Sequence, residues 1–308
     1  MSMRYAGVLV LLLLLPVLVA CQSTAQGQAD LGAPESPVIM RVGGQQFTVA
    51  DFSQRLTRDI GPAIEGLLAQ GQTPAEIEQL AVEAEIRAQI FDQMLQDALL
   101  SRYARQHGIG VDASAIDAEV FSLIQPTEGS PFLVTTDARL RSAQSQLSFE
   151  VVARQTQAPM VRTRLMLVPD EAQAEEVLAL LAAGGDFYAL AGERGLDIGA
   201  PMNDAAITWV PTGNFPPEID SVVFSAPLQT PGKVSTTSGV YVFEVLERAE
   251  QRPFDSFEML RSSQNAQVFY EQSFAPWYEA LLLDAQASGD LQIAENFDPN
   301  MVPLPFPQ

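Results

Sequence analysis

The chain's only cysteine, Cys21, stands directly behind Leu18-Val19-Ala20, at the end of an apolar run from Val8 to Val19 that Arg4 precedes. Small residues leading from such a run into a cysteine match the bacterial lipobox, whose cysteine is lipidated and becomes the mature N-terminus. A cationic start and a run of this length read as an export signal; a comfortable spanning helix needs about 20 apolar residues. More than one acyl chain on a cysteine gives stable anchoring. An ordinary export signal or an uncleaved anchor are the alternatives, and the cysteine's place at the lipobox favours lipidation. The only histidine, His107, lies in Arg105-Gln106-His107-Gly108-Ile109. No second histidine or nearby cysteine exists to complete a metal site around it. A helix's last turn favours such a side chain facing the dipole, so His107 reads as structural and no metal is expected. One cysteine also rules out an intramolecular disulfide, which leaves the core to packing alone.

The 308 residues suffice for one or two domains with a proper core. Lys and Arg number 17 against 38 Asp and Glu, a net charge of −21 that repels nucleic acid and anionic headgroups. Nucleic acid is therefore not an expected partner.

The elements that must hold any site follow in order. Residues 1–20 are the export signal, and 21–36, rich in Gln, Ala, Gly, Ser and Pro, form a flexible tether. Val38 to Val42, Gly43-Gly44 and Gln45 to Val49 read as a hairpin. Thr48 to Asp51 resembles a capping box opening a helix toward Ile60, where Gly61-Pro62 interrupts it. Thr73-Pro74-Ala75-Glu76 combines an N-cap, a first-turn proline and a capping glutamate. The apolar stripe from Ile77 through Ala84, Phe91 and Leu99 then predicts one helix closed by His107-Gly108. Asp112 caps a helix over 113–124, another runs from Asp137 to Arg154, and Gln157-Ala158-Pro159 reads as a boundary. Val161 to Val168 is strand-like. Glu171 to Ala183 is an amphipathic helix stopped by Gly184-Gly185, and Asp186-Phe187 begins a shorter one. Gly239 to Val245 is a second strand. Phe254 to Ala287 reads as one long helix kinked at Pro276, Leu291 to Ala294 as a strand, and Pro-rich 298–308 as a loose tail.

Between the two framing strands the landmarks stand in a definite order. Leu196-Asp197-Ile198-Gly199-Ala200 is followed by Thr208-Trp209-Val210, by Gly213 to Phe224, and by Pro231-Gly232-Lys233-Val234-Ser235 with Ser238-Gly239. The series resembles the parvulin-type (PpiC, rotamase) peptidyl-prolyl isomerase domain set inside a SurA/PrsA-like extracytoplasmic chaperone. The resemblance implies an α+β fold. A helical chaperone module would be built from 37–158 and a returning segment 251–297, with a parvulin-like domain, 159–250, inserted as a small antiparallel sheet flanked by helices. It also implies a foldase, lipid-anchored to a membrane at Cys21, that acts on unfolded exported polypeptides and their X-Pro segments without a cofactor.

The chemistry of that family is rotation about a peptide bond, a barrier of about 18–20 kcal/mol. An apolar pocket desolvates the prolyl ring, and a small polar network stabilises the twisted amide. By resemblance, the apolar positions are Phe215, Ile219 and Phe224, with Trp209 beside them. The two histidine positions fall on Leu165 and Tyr241, the acidic one on Asp197 and the hydroxyl one near Thr236. Asp204-Ala205 replaces a Gly-Gly pair, and Thr208 replaces a glycine. Leu165 neither donates nor accepts a hydrogen bond, and the Tyr241 hydroxyl lies farther from its backbone than an imidazole nitrogen would. Three readings stay open: a slow isomerase using Asp197 and Tyr241, a client-holding chaperone, and a spacer whose aromatics serve its own core.

Overall fold

The computed structural model describes residues 36–111, 114, 116, 136–196 and 207–307. The expected export signal, Cys21, nearly all of the expected tether and most of the helix expected over 113–124 lie outside them. In chain order the elements are β1 (Val38–Val42), β2 (Gln45–Thr48), α1 (Val49–Ala69), α2 (Pro74–Glu83), α3 (Ile86–Gln106), α4 (Thr136–Gln155), β3 (Gln157–Val168), α5 (Glu171–Ala182), α6 (Phe187–Arg194), β4 (Val210–Pro211), α7 (Pro217–Val223), β5 (Pro231–Thr236), β6 (Gly239–Pro253), α8 (Phe257–Arg261), α9 (Ala266–Phe269), a π turn (Tyr270–Phe274), α10 (Ala275–Ala287) and β7 (Leu291–Ile293). They divide into two compact units, one formed by the described residues up to Val151 with those from Tyr278 on, the other by those from Val152 to Trp277. Among the described residues no helix is long and apolar enough to cross a membrane.

In the first unit, Gly43 and Gly44 both have positive φ, 54° and 85°, as a tight two-residue hairpin turn requires. They join β1 to β2, and β7 pairs along the other side of β1. Thr48 and Thr73 each accept from a backbone N–H three residues on, while Asp51 and Glu76 accept from the cap's own N–H. These are reciprocal capping boxes, as the sequence suggests. Helix α1 nevertheless continues past Gly61-Pro62. The lost bond and ring clash cost about 3 kcal/mol. Burying Leu56 and Ile64 on either side, at about 1.5–3 kcal/mol each, offsets that.

The single helix expected after Thr73 is two. Glu85 breaks it in the left-handed region at φ 53°, because the apolar stripe serves two separate cores. Ile77 and Ala81 pack with Ile64 and Leu304. Phe91, Met94, Leu95 and Leu99 pack with Met40, Phe52, Leu56 and Leu282, and one straight helix cannot face both. Nor is the tail loose. Phe297 sits edge-on to Phe52 at 5.8 Å and 5.1 Å from Phe91, and Val302 and Leu304 are each only 5% exposed. The buried Arg87 donates from Nε to the Val302 carbonyl at 2.7 Å and from Nη2 to Glu78 at 2.7 Å. Apolar side chains between the prolines tie this segment down.

The second unit carries an antiparallel sheet in the order β4-β3-β6-β5. Its two central strands extend well beyond the runs legible as strands. Pro159 lies inside β3 rather than at a boundary. It occupies the bulge between Ala158 and Met160, where a missing N–H costs no ladder bond. One face of the sheet, with Met166, Val168, Val240 and Val242, is covered by Ala174 and Val177 of α5 and Phe187 and Leu190 of α6. The other face meets α7. The expected long helix from Phe254 is interrupted at 262–265 and again by the π turn. Pro276 has no N–H to donate to Gln272 and crowds its carbonyl, and a widened turn just before it relieves both.

Two expected outcomes test this packing. Phe52→Ala removes a fully buried ring that meets Phe91 and Phe297, and should lower stability in urea denaturation by about 3–5 kcal/mol. Burial pushes the Asp92 carboxyl above its ordinary range. The folded chain then holds that proton more tightly than the unfolded chain, so stability is lost as pH rises from the unfolded value through the folded one. Asp92→Asn should therefore raise Tm at neutral pH, with the gain fading as pH falls through the raised folded value and gone below about 3.9.

Candidate functional site

The β3–β6 register sets the site. Leu165 lies opposite Phe243, and Leu167 lies opposite Tyr241. Side chains alternate along a strand, so Leu165 and Tyr241 become diagonal neighbours on one face. Helix α7 lies over that face, with Pro217 in its first turn. Leu165, Tyr241, Phe215, Ile219 and Phe224 gather there in one apolar cluster with Val161, Val223, Phe243 and Val245. Ile219, 2% exposed, is floor; the other four are half-buried. Gly232 lies flat against the Phe243 ring, where a Cβ would come within 2.7 Å of it. Beside this cluster opens a cleft of about 160 Å³, walled by Thr163, Leu165, Tyr188, Ile207, Thr208 and Phe215 among others. A cavity of about 150 Å³ holds one benzene ring, so the cleft suits one small ring. Leu165 and Phe215 belong to both the cleft and the cluster.

The remaining sequence-named residues do not join them. Trp209 lies outside the apolar cluster, with the Arg252 guanidinium 4.7 Å over its ring, a cation–π contact. The Thr236 hydroxyl donates to the Gly239 carbonyl at 3.0 Å and accepts from the Ser238 N–H at 3.2 Å, closing the β5–β6 hairpin. Asp197, Asp204 and Ala205 lie outside the described residues. Tyr241 is then the one residue of the inferred polar network that the structure places in the cluster. His107 stacks on Tyr103 and its Nδ1 lies 2.8 Å from the Tyr103 carbonyl at the end of α3. Among the described residues no group of acidic, histidine or cysteine side chains could hold a metal.

The residues that position the cluster went unnoticed in the sequence. Asp220 of α7 accepts from the Thr212 hydroxyl at 2.9 Å and the Gly213 N–H at 2.8 Å. Asn214 Oδ1 accepts from the Ser263 hydroxyl and the Gln264 N–H, and Asn265 Nδ2 donates to the Thr212 carbonyl. The break at 262–265 is thus a clamp on the turn that carries Phe215. Its signal was the polar run Ser262-Ser263-Gln264-Asn265 inside an apolar stripe. At the other end of α7, Arg248 Nη2 donates to the Val223 and Ala226 carbonyls at 3.1 and 2.5 Å, capping the helix's negative end. On the cleft's far wall Arg164 pairs with Glu244 at 2.7 Å and lies 5.2 Å from the Tyr188 ring centre.

The SurA-like N-terminal domain family matches residues 2–130, and the PPIC-type PPIASE domain family matches residues 144–249. The chain carries both domains. The foldase protein PrsA of Halalkalibacterium halodurans is 25% identical over 94% of this chain and 84% of its own length. That of Caldanaerobacter subterraneus is 34% identical over 31% of each. The crystal structure of the Bacillus cereus peptidylprolyl isomerase PrsA aligns over 85% of this chain and 96% of its own, at 14% identity and a TM-score of 0.30. The sheet up to Ala249 of β6, with α7 and the apolar cluster, falls within the stretch matched by the PPIC-type family.

The clamp on this domain is testable at one glycine. Gly213 has φ +89°, and a Cβ there would lie 2.1 Å from Asn265 Nδ2. Gly213→Ala should cost about 1–3 kcal/mol in thermal or urea unfolding. Adding Asn265→Ala should recover only part of that loss, because the backbone strain remains.

Proposed function

We propose that the chain is an extracytoplasmic, Cys21-anchored foldase whose PPIC-type domain holds X-Pro segments of partly folded exported polypeptides against Leu165, Phe215 and Tyr241, and isomerises them slowly. The observation that carries this reading is the asymmetry of the site. Its apolar floor is assembled as one cluster, while the positions that the resemblance assigns to the family's two histidines hold a leucine and a tyrosine. Seating a prolyl ring between Phe215 and Leu165 removes apolar surface from water, which favours binding whatever the amide's isomer. Such uniform binding lowers the substrate's free energy without lowering the barrier. Only a donor aimed at the twisted amide would separate the two states, and Tyr241 is the described residue of the cluster able to supply one. The relatives' own name, foldase, supports the same class. The net charge of −21 favours polypeptide clients over nucleic acid.

Fluorescence anisotropy with a labelled apolar X-Pro peptide tests the reading. Phe215→Ala should weaken binding about tenfold, equivalent to about 1.4 kcal/mol. Tyr241→Phe should leave binding within about twofold, less than about 0.5 kcal/mol. Equal binding by the parent chain and Phe215→Ala would overturn it.

A further inference from the structure

The C-terminal tail reads Val302-Pro303-Leu304-Pro305-Phe306-Pro307, a proline after every apolar residue. Each proline fixes its own φ near −65° and pushes the preceding residue toward extended backbone. The segment is therefore a pre-formed rod that loses little entropy on docking. Val302, at φ −85° and ψ 125°, already has that conformation.

The rod is seated in a groove of the first unit. Leu304 lies with Ile64 of α1 and Ile77 and Ala81 of α2, and Phe306 packs against the same cluster beside Leu67 and Leu68. Pro303 and Pro307 face outward. Alternate side chains thus enter the groove, and one carbonyl, that of Val302, takes the Arg87 Nε–H. Arg87 is 2% exposed, yet its Nη1 is buried and, among the described residues, has no hydrogen-bond partner. Leaving a charged donor unsatisfied is costly, and a backbone carbonyl of an extended segment is one acceptor that could satisfy it. Nothing in these contacts is particular to the tail: they read apolar side chains at alternate positions, extended backbone and a carbonyl.

We propose that the α1–α2 groove is a docking site for extended, proline-punctuated apolar segments of unfolded exported polypeptides, and that the tail is its built-in occupant. The client class rests on the foldase reading; the groove does not. Because the tail is tethered, it competes at a high effective concentration. Only segments that fit the groove better, or that arrive in several copies, displace it.

The test uses a fluorescein-labelled peptide of the sequence Met301 to Gln308. Its partners are the full chain, a chain ending at Met301, and a full-length Leu304→Ser chain, which keeps the tail but loosens its anchor should the truncated chain fail to fold. Freed chains should bind the peptide at least about tenfold more tightly than the parent. Reduced, carboxymethylated α-lactalbumin should displace it, and Ile77→Ser in the freed chain should abolish the gain over the parent. Equal binding by parent and freed chains overturns the proposal. So does a bound peptide that unfolded client does not displace, since the tail is then a structural strap. Phe215→Ala, placed in both the parent and the freed chains, removes whatever share of the signal the prolyl cleft contributes; the difference between parent and freed chains should persist in that background, so that failure of the prolyl cleft and failure of this groove are read separately.

Discussion

The antiparallel ladder between β3 and β6 is the constraint from which the PPIC-type domain follows. Its register puts Leu165 opposite Phe243 and Leu167 opposite Tyr241, so that the two family positions share one face of the sheet. A slip of one residue would turn Leu165 and its neighbours to the α5–α6 face and bring Arg164 beneath α7. The buried Val161, Met166, Val168, Val242, Phe243 and Val245 fill both faces and hold the register. The Pro159 bulge adds bend and twist where β4 joins.

On this platform the site is built by two end-clamps on one short helix. Asp220 fixes the entry of α7 through Thr212 and Gly213, and Arg248 fixes its exit through Val223 and Ala226. A helix of this length has almost no stability of its own. Its position over Leu165 and Tyr241 therefore depends on those polar contacts and on burying Ile219 and Val223. The apolar side of the site is held by several independent contacts. Of the described residues on the inferred polar side, Thr236 closes a hairpin and Tyr241 stands in the cluster.

The sequence made legible what local rules control. The capping boxes at Thr48 and Thr73, the Gly43-Gly44 turn, the framing strands and the apolar members of the cluster all follow from spacing or from family landmarks. Tertiary demand decided the rest. Glu85 breaks a continuous apolar stripe because the stripe feeds two cores, and Pro62 stays within α1 because burial on both sides outweighs its local cost. Pro159 looked like punctuation and is a bulge inside a strand. The tail looked loose because prolines dominate it, whereas its register of apolar residues against Ile64 and Ile77 is visible only once α1 and α2 are folded. Trp209 shows the converse. It occupies a family landmark, but the long β6 strand brings Arg252 over its ring, a partner far away in sequence.

The reading proposed for the site is that the apolar cluster seats a prolyl ring, with a leucine and a tyrosine where the resemblance would put hydrogen-bonding histidines. Two-dimensional exchange NMR on a Phe-Pro peptide in the presence of the full chain measures binding and isomerisation in one sample. The account predicts shifted and broadened prolyl resonances, which report binding, with cis–trans exchange within about tenfold of the uncatalysed time of tens to hundreds of seconds. Exchange accelerated a thousandfold or more, and abolished by Tyr241→Phe, would contradict it.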